Sequence, residues 1–382
     1  MLRPTQPAGE PAVGEPTTAG PDQPSGALAT STVERGEPSP GSGRPGSNTG
    51  RRWFGGTRRP GSGTRRRRWA RRIGVAVLTG WLAVTAFSFV YNAATARRAT
   101  VPAGLTYVRT GDIVTRYREW GSHGTPVVLV HGAIETADTW DPVGRLLAAD
   151  HRVYAFDLNG AGYTRGAAPY DIAHQGSQLL AFLAAEHLDR PVLVAHSAGA
   201  AAAADAVLRA PGRVSGLMFL DGDGLAITGT GTHAVVGAIR TLLVRPYRTT
   251  LMRLAVRSDA LIRSVYARQC GPSCPRLDAA GVQMWRRPLQ VAGAESALWA
   301  EMRPDAIGLP ASRIAQLRAV DIPKAVVFGS DDTDGFDADA PTQTAARIGA
   351  PAPTLIPGAH HLTMISSPGA VAAAVESLVA RS

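Results

Sequence analysis

The chain has 382 residues, 45% of them apolar and 18% charged, enough for one or two domains with a sizeable core and too apolar for a wholly disordered or collagen-like chain. Its formal net charge is +10, yet residues 1–98 carry 15 Arg against 5 acids (15 − 5 = +10), leaving 40 − 15 = 25 basic and 30 − 5 = 25 acidic residues beyond them. The part able to fold is neutral, which argues against nucleic acid as a partner.

Residues 1–64 are rich in Pro, Gly, Ser and Thr, as in GEPSPGSGRPGSNTG at 36–50. Such a stretch buries too little apolar surface to offset its ordering entropy and is expected to be a disordered tail. Arginines gather at its end, six of them within 65–72, and an uncharged run follows at once at 73–96, closed by Arg97 and Arg98. As a helix this run spans about 36 Å, against roughly 30 Å for a hydrocarbon core. Residues 65–98 thus read as a basic flank and one transmembrane helix, with the lipid bilayer as the partner of 73–96. The heavier Arg flank places the N-terminus in the cytoplasm and everything after 98 outside the cell membrane. A cleaved export signal, which would leave the remainder secreted, and a buried core helix are the competing readings.

From residue 105 the chain alternates. LTYVRT (105–110) and DIVTRYREW (112–120), split by Gly111, read as a β-hairpin. PVVLVHG (126–132), VYAFDLNGAG (153–162), PVLVAHSAG (191–199), VSGLMFLDGD (214–223), KAVVFGSDD (324–332) and APTLIPGAHH (352–361) are short, mostly apolar runs leading into turns. That is the pattern of buried strands. Helices are expected at 139–149, 171–188, 198–208 and 368–382. The alternation predicts an α/β class with a mostly parallel central sheet, helices on both faces, and ligands beyond the carboxyl ends of the strands. Between 224 and 318 the pattern is helical only, as expected of a lid inserted between two core parts, 105–223 and 319–382. Leu242, Leu243, Met252, Trp285 and Trp299 give this lid apolar surface for a hydrophobic acyl or ring group. Cys270 and Cys274, separated by Gly-Pro-Ser, permit a local disulfide outside the membrane; no neighbouring Cys or His completes a metal site.

Four strand ends carry the chemistry. Ser197, in AHSAG, directly follows an apolar strand and precedes an Ala-rich helix, the context in which a serine is held exposed at a sharp turn. His360 and His361 follow the strand at 352–357, and either can serve as general base. Asp331 or Asp332 follows the strand at 324–329 and can orient that histidine. The turn after His131–Gly132 can supply one backbone N–H, from Ala133, to an oxyanion, and Ala198 a second. Glu135 and Asp138 on the same loop are expected to brace it. Asp221 and Asp223, after the strand at 214–220, are an alternative source of the acid.

Ser, Asp and His in this chain order, with the HG turn at 131–132, FDLNGAG at 156–162, AHSAG at 195–199, GSDD at 329–332 and GAHH at 358–361, resemble the α/β-hydrolase superfamily over roughly 105–382. The likeness is to its lidded serine esterases, meta-cleavage-product hydrolases and haloperoxidase-like members. It implies Asp332 as the acid, after G-x-x-D, and His361 as the base, seven residues before Pro368. Ala195 stands where the family's elbow has Gly, and His360 where it commonly has Gly. A serine at the elbow disfavours the relatives that need an aspartate nucleophile. The implied activity is hydrolysis of a small hydrophobic ester or related acyl substrate through an acyl-enzyme, without cofactor or metal. A perhydrolase or cofactor-free haloperoxidase activity and a catalytically silent binding protein are the alternatives.

Overall fold

The computed structural model describes residues 62–226, 243–303, 308–332 and 337–382; almost all of the tail expected at 1–64, and Leu242 of the lid, lie outside the described residues. Arg65–Ser382 form one compact unit.

Helix α1 (Ser62–Ala94) begins well before the uncharged run and carries the arginine cluster on its first turns. Arg is a good helix former, and extending an existing helix costs little per residue. Among the described residues it is the one helix long and apolar enough to cross a membrane. Its apolar side chains are exposed, Val77, Leu82 and Phe89 among them, whereas Ser88 is buried and Thr85, Tyr91 and Asn92 are half-buried.

The hairpin is present as β1 (Thr106–Thr110) and β2 (Ile113–Trp120), paired antiparallel about Gly111. Strand β3 (Pro126–Val130) leads into a 3-10 turn at Ala137–Trp140 and helix α2 (Asp141–Leu147), so the helix expected at 139–149 is shorter and begins with Pro142 in its first turn. Then come β4 (Arg152–Phe156), α3 (Ile172–Ala185), β5 (Val192–His196), α4 (Gly199–Arg209) and β6 (Gly216–Leu220). The stretch expected as a lid, 224–318, supplies α5 (Tyr247–Arg257), α6 (Asp259–Cys270), α7 (Ala279–Arg286) and α8 (Ala294–Glu301). Its two ends meet side by side: Leu309 N–H donates to Gly224 C=O and Ala226 N–H to Leu309 C=O, both at 2.9 Å. The core resumes with α9 (Ala311–Ala315), β7 (Lys324–Gly329), α10 (Ala340–Ile348), β8 (Thr354–Ile356), α11 (Thr363–Ser366) and α12 (Pro368–Val379).

The eight strands form one sheet in the order β1-β2-β4-β3-β5-β6-β7-β8. All pairs from β4 to β8 are parallel, and only the β1–β2 and β2–β4 pairs are antiparallel. Every residue of β5 and β6 is buried, which explains their unbroken apolar runs. One core includes Phe156, Phe182 and Phe219 with α3 and α4; the other includes Trp140, Leu147 and Leu378 with α2 and α12. Ala200–Ala204 are all fully buried, and their small side chains allow α4 a close approach to its neighbours. The strand reversal at β3, where the chain order switches sides, places the ends of β3 and β5 next to each other, the usual position of a ligand site in such sheets.

Candidate active site

Ser197 follows the last residue of β5 with a φ of 50°, a left-handed conformation that costs a non-glycine residue roughly 1–3 kcal/mol and persists only where its surroundings impose it. They do so here. The Ser197 amide donates to Leu220 C=O of β6 at 3.0 Å, and α4 starts two residues later. A Cβ added to Gly199 would stand 2.4 Å from the His131 carbonyl oxygen, and one added to Gly222 2.6 Å from that of Ser197. The small residues around the serine are therefore steric requirements of a turn wedged between β3 and β6.

His361 brings Nε2 to 3.0 Å from Ser197 Oγ and Nδ1 to 2.9 Å from Asp332 Oδ2. The His361 and Asp332 side chains are only 4% and 1% exposed, so their contact is shielded from water. With the Nδ1 proton directed to the carboxylate, Nε2 accepts from the serine hydroxyl. The neighbouring residues point elsewhere. His360 Nδ1 lies 3.1 Å from the Arg268 carbonyl oxygen, and Asp331 accepts from the Ser330 hydroxyl. Asp221 is fully buried; it accepts from Gly329 N–H at 2.7 Å and from the Thr363 hydroxyl, and stands 3.9 Å from His196 Nε2. Burial pushes its carboxyl up to about 7 against the opposing pull of His196. Asp223 accepts from Leu225 N–H at the neck of the lid.

Ala133 and Ala198 line one small cavity of about 20 Å³, with Leu158, Gln175 and Glu301. That is room for an atom of water size beside the serine turn. The loop bearing Ala133 is braced as expected: Gly132 N–H donates to Glu135 Oε2 at 3.1 Å, and Asp138 pairs with Arg116 at 2.6 Å and Arg118 at 3.2 Å.

Two features escape sequence reasoning. His196, directly before the serine, is fully buried, with Nδ1 2.9 Å from Glu135 Oε1 and Nε2 2.9 Å from the His361 carbonyl oxygen. Burial alone would lower its basicity, but Glu135 and then Asp221 outweigh that and raise the pKa to about 9. An imidazolium thus underlies the serine turn, its ring centroid 4.8 Å from that of His361. A titratable pair at neighbouring strand ends, His196 and Glu135, is the signal that could have found it. Glu301, the last residue of α8, reaches the small cavity from the lid, and burial pushes its carboxyl up to about 7. No local pattern marks it.

Above the Ala133–Ile134 turn a second, mainly apolar cavity of about 200 Å³ runs between lid helices, lined by Val256, Leu261, Tyr266, Trp285, Leu289 and Leu298 among others. Of the lid residues singled out in the sequence, Trp285 lines this cavity, while Trp299 carries the Arg248 guanidinium 4.9 Å from its ring and Met252 lines a separate crevice. Cys270 and Cys274 are joined in a disulfide.

The chain is 33% identical over 146 residues to the dihydrolipoyllysine-residue acetyltransferase component of an acetoin cleaving system from Pseudomonas putida, covering 37% of this chain and 39% of that one. It is 31% identical over 104 residues to the pimeloyl-[acyl-carrier protein] methyl ester esterase of Aliivibrio salmonicida (strain LFI1238), covering 27% and 38% respectively. The chain thus spans about two fifths of the length of these curated relatives. Among solved structures, a membrane phospholipase A, a bacterial virulence factor, superposes with a TM-score of 0.58 at 19% identity, over 83% of this chain and 98% of that one, a likeness of fold. The sequence profile of one family matches residues 127–374, from the first residues of β3 into α12. By that match, over more than half its length, the chain belongs to the alpha/beta hydrolase family.

Proposed function

We propose that the protein is a serine hydrolase acting on a carboxylic ester, with Ser197 as nucleophile, His361 as general base and acid, and Asp332 as the group that orients the imidazole. The observation that carries this reading is the continuous chain of contacts from Ser197 Oγ through the His361 ring to Asp332, at 3.0 and 2.9 Å. Ser197 Oγ attacks the ester carbonyl as its proton passes to His361 Nε2. The carbonyl oxygen, now negative, is held by the Ala133 and Ala198 N–H groups. Collapse of the tetrahedral species expels the alcohol, protonated by His361, and leaves Ser197 acylated. Water, deprotonated by the same nitrogen, then releases the carboxylic acid and restores the serine. The esterase and phospholipase named among the similar proteins act on acyl esters, which supports a small hydrophobic acyl group as the substrate's recognised part. The larger cavity is apolar enough to receive it.

On this reading the functional divisions are a core at 105–223 and 319–382, a lid at 224–318, and an anchor formed by α1, with residues 73–96 in the bilayer and the hydrolase on the outer side. The exposure of Ile73, Val77, Leu82, Phe87 and Phe89 on α1 favours the anchor over a buried core helix. Retention of the helix is favoured over cleavage at 93–100 because Asn92, Thr95 and Arg98 all bond to the lid. A fluorophosphonate probe should label the full chain and not Ser197→Ala; equal labelling of both rejects the nucleophile assignment. Carbonate extraction should leave the chain in the membrane pellet, and its release rejects the anchor.

A further inference from the structure

The end of α1 is joined to the lid along its length. The Thr85 and Tyr247 hydroxyls are 2.7 Å apart, and Asn92 Nδ2 donates to Pro246 C=O at 3.0 Å. Arg253, only 7% exposed, donates to Asn92 C=O at 2.7 Å and pairs with Glu295, which also binds Arg98 at 2.6 Å. Arg257 donates to Thr95 C=O. Helix α5 therefore runs alongside α1 in the same direction, from Thr85 and Tyr247 to Thr95 and Arg257.

This joint sets a depth. Thr85 lies six residues inside Tyr91, where the strongly apolar part of α1 ends, roughly 9 Å at the helical rise. A lid tied to Thr85 cannot remain clear of a bilayer that α1 spans. The side of α5 flanking the joint suits that position: Leu251 and Leu254, one turn after Tyr247 and Thr250, and the preceding Val244 are 53%, 43% and 53% exposed. The charge is polarised to match. Residues 224–318 hold 13 Arg and 5 acids (13 − 5 = +8), whereas the rest of the chain beyond 98 holds 25 − 13 = 12 basic and 25 − 5 = 20 acidic residues (−8). The joint also adjoins the substrate side. The crevice between Thr95, Met252 and Arg253 shares Val256, Leu289 and Leu298 with the apolar cavity above Ala133.

We propose that α5 is a lipid-docking edge. Val244, Leu251 and Leu254 sit among the acyl chains of the leaflet on the hydrolase side, the lid arginines meet its anionic headgroups, and the apolar cavity takes an acyl chain of a membrane-resident ester from that leaflet. The inference rests on the reading of α1 as a membrane span and deepens the substrate class of the proposed hydrolase.

Both cysteines are disulfide-bonded, so single cysteines can be spin-labelled in the full chain. Labels at Val77→Cys, Leu251→Cys and Leu146→Cys are compared in phosphatidylcholine–phosphatidylglycerol vesicles by power saturation with oxygen and a water-soluble nickel chelate. Lipid-like accessibility at 77 and 251, with aqueous accessibility at 146, is expected. Lipid at 77 but water at 251 overturns the docking edge and leaves the span intact; water at both overturns the span and the docking edge with it. In the same vesicles, Leu251→Glu/Leu254→Glu should lower phospholipid turnover by about tenfold or more, since a charge among acyl chains is strongly disfavoured. Hydrolysis of soluble p-nitrophenyl butyrate should stay within about twofold of the parent, because neither leucine touches the cavity. Equal loss of both activities overturns delivery from the leaflet.

Discussion

The two buried aspartates near the histidine make opposite predictions under the same substitution. Asp332→Asn keeps the shape of the side chain but removes the carboxylate 2.9 Å from His361 Nδ1. Its amide can present N–H to the ring, which turns the imidazole to the tautomer whose Nε2 carries the proton and cannot accept from Ser197. The imidazolium formed during attack also loses its counter-charge. Changes of this kind lower kcat by about 10⁴, equivalent to about 5.5 kcal/mol in the barrier. Asp221→Asn meets a different setting. One oxygen of the amide still accepts from Gly329 N–H, the Thr363 hydroxyl can reverse its role, and the nearest imidazole nitrogen belongs to His196, 3.9 Å away. The expected cost is in stability, about 1–3 kcal/mol for a disturbed buried hydrogen bond, with kcat within about tenfold of the parent. The assay is kcat on a soluble p-nitrophenyl ester paired with thermal unfolding of each variant. A large loss of kcat in Asp221→Asn, with near-parent turnover in Asp332→Asn, refutes the assignment of the acid.

Glu301, raised to about 7 by burial, is neutral below that pH and ionises beside the oxyanion donors above it, so kcat/KM should fall on the alkaline side. Glu301→Gln should flatten that limb in a pH–rate profile. A raised carboxyl stabilises the fold below its ordinary range and loses that contribution as pH rises from there to about 7, so the melting temperature of the parent should drop more than that of Glu301→Gln between about pH 4.5 and about pH 7. His196→Ala leaves the Glu135 carboxylate, 4% exposed, without its ion partner and should destabilise by about 3–5 kcal/mol in chemical unfolding; adding Glu135→Gln should recover part of the loss. Reducing the Cys270–Cys274 bond reopens a very short loop and should cost about 2 kcal/mol, with a mass gain of about 2 Da that confirms reduction.

Strands β3, β5, β6 and β7 are legible because each is a short, mostly apolar run and a parallel sheet buries both faces. The serine turn is legible because one of its steric demands falls on Gly199, two positions after Ser197, whereas that on Gly222 comes from the next strand end and is not marked locally. The choice between Asp332 and Asp221 is not legible from the strands alone, since both follow parallel strands; their separation depends on Gly329 and Thr363, which occupy Asp221 from other parts of the chain. His196 is unremarkable until folding sets Glu135, from a different strand end, against it. The joint of α1 with the lid is least legible. Its partners lie more than 150 positions apart, and Thr85, Asn92 and Thr95 look in sequence like mere blemishes in an apolar run.

The lid's place in the chain has a consequence for how the protein is made. Ser197 and the strands on both sides of it precede the lid, but Asp332 and His361 follow it, and β7 must arrive beside β6 before the sheet can carry either of them. Synthesis runs from the N-terminus, so α1, the serine turn and residues 224–318 all emerge first. With Ser197 as the proposed nucleophile and His361 as its base, the nascent chain holds a nucleophile without a base until its final stretch is delivered. On the proposed reading of α1 as an anchor, a polypeptide being threaded through a bilayer is thus kept from attacking the lipids around it. On the same reading, a chain ending before residue 332 would be chemically inert.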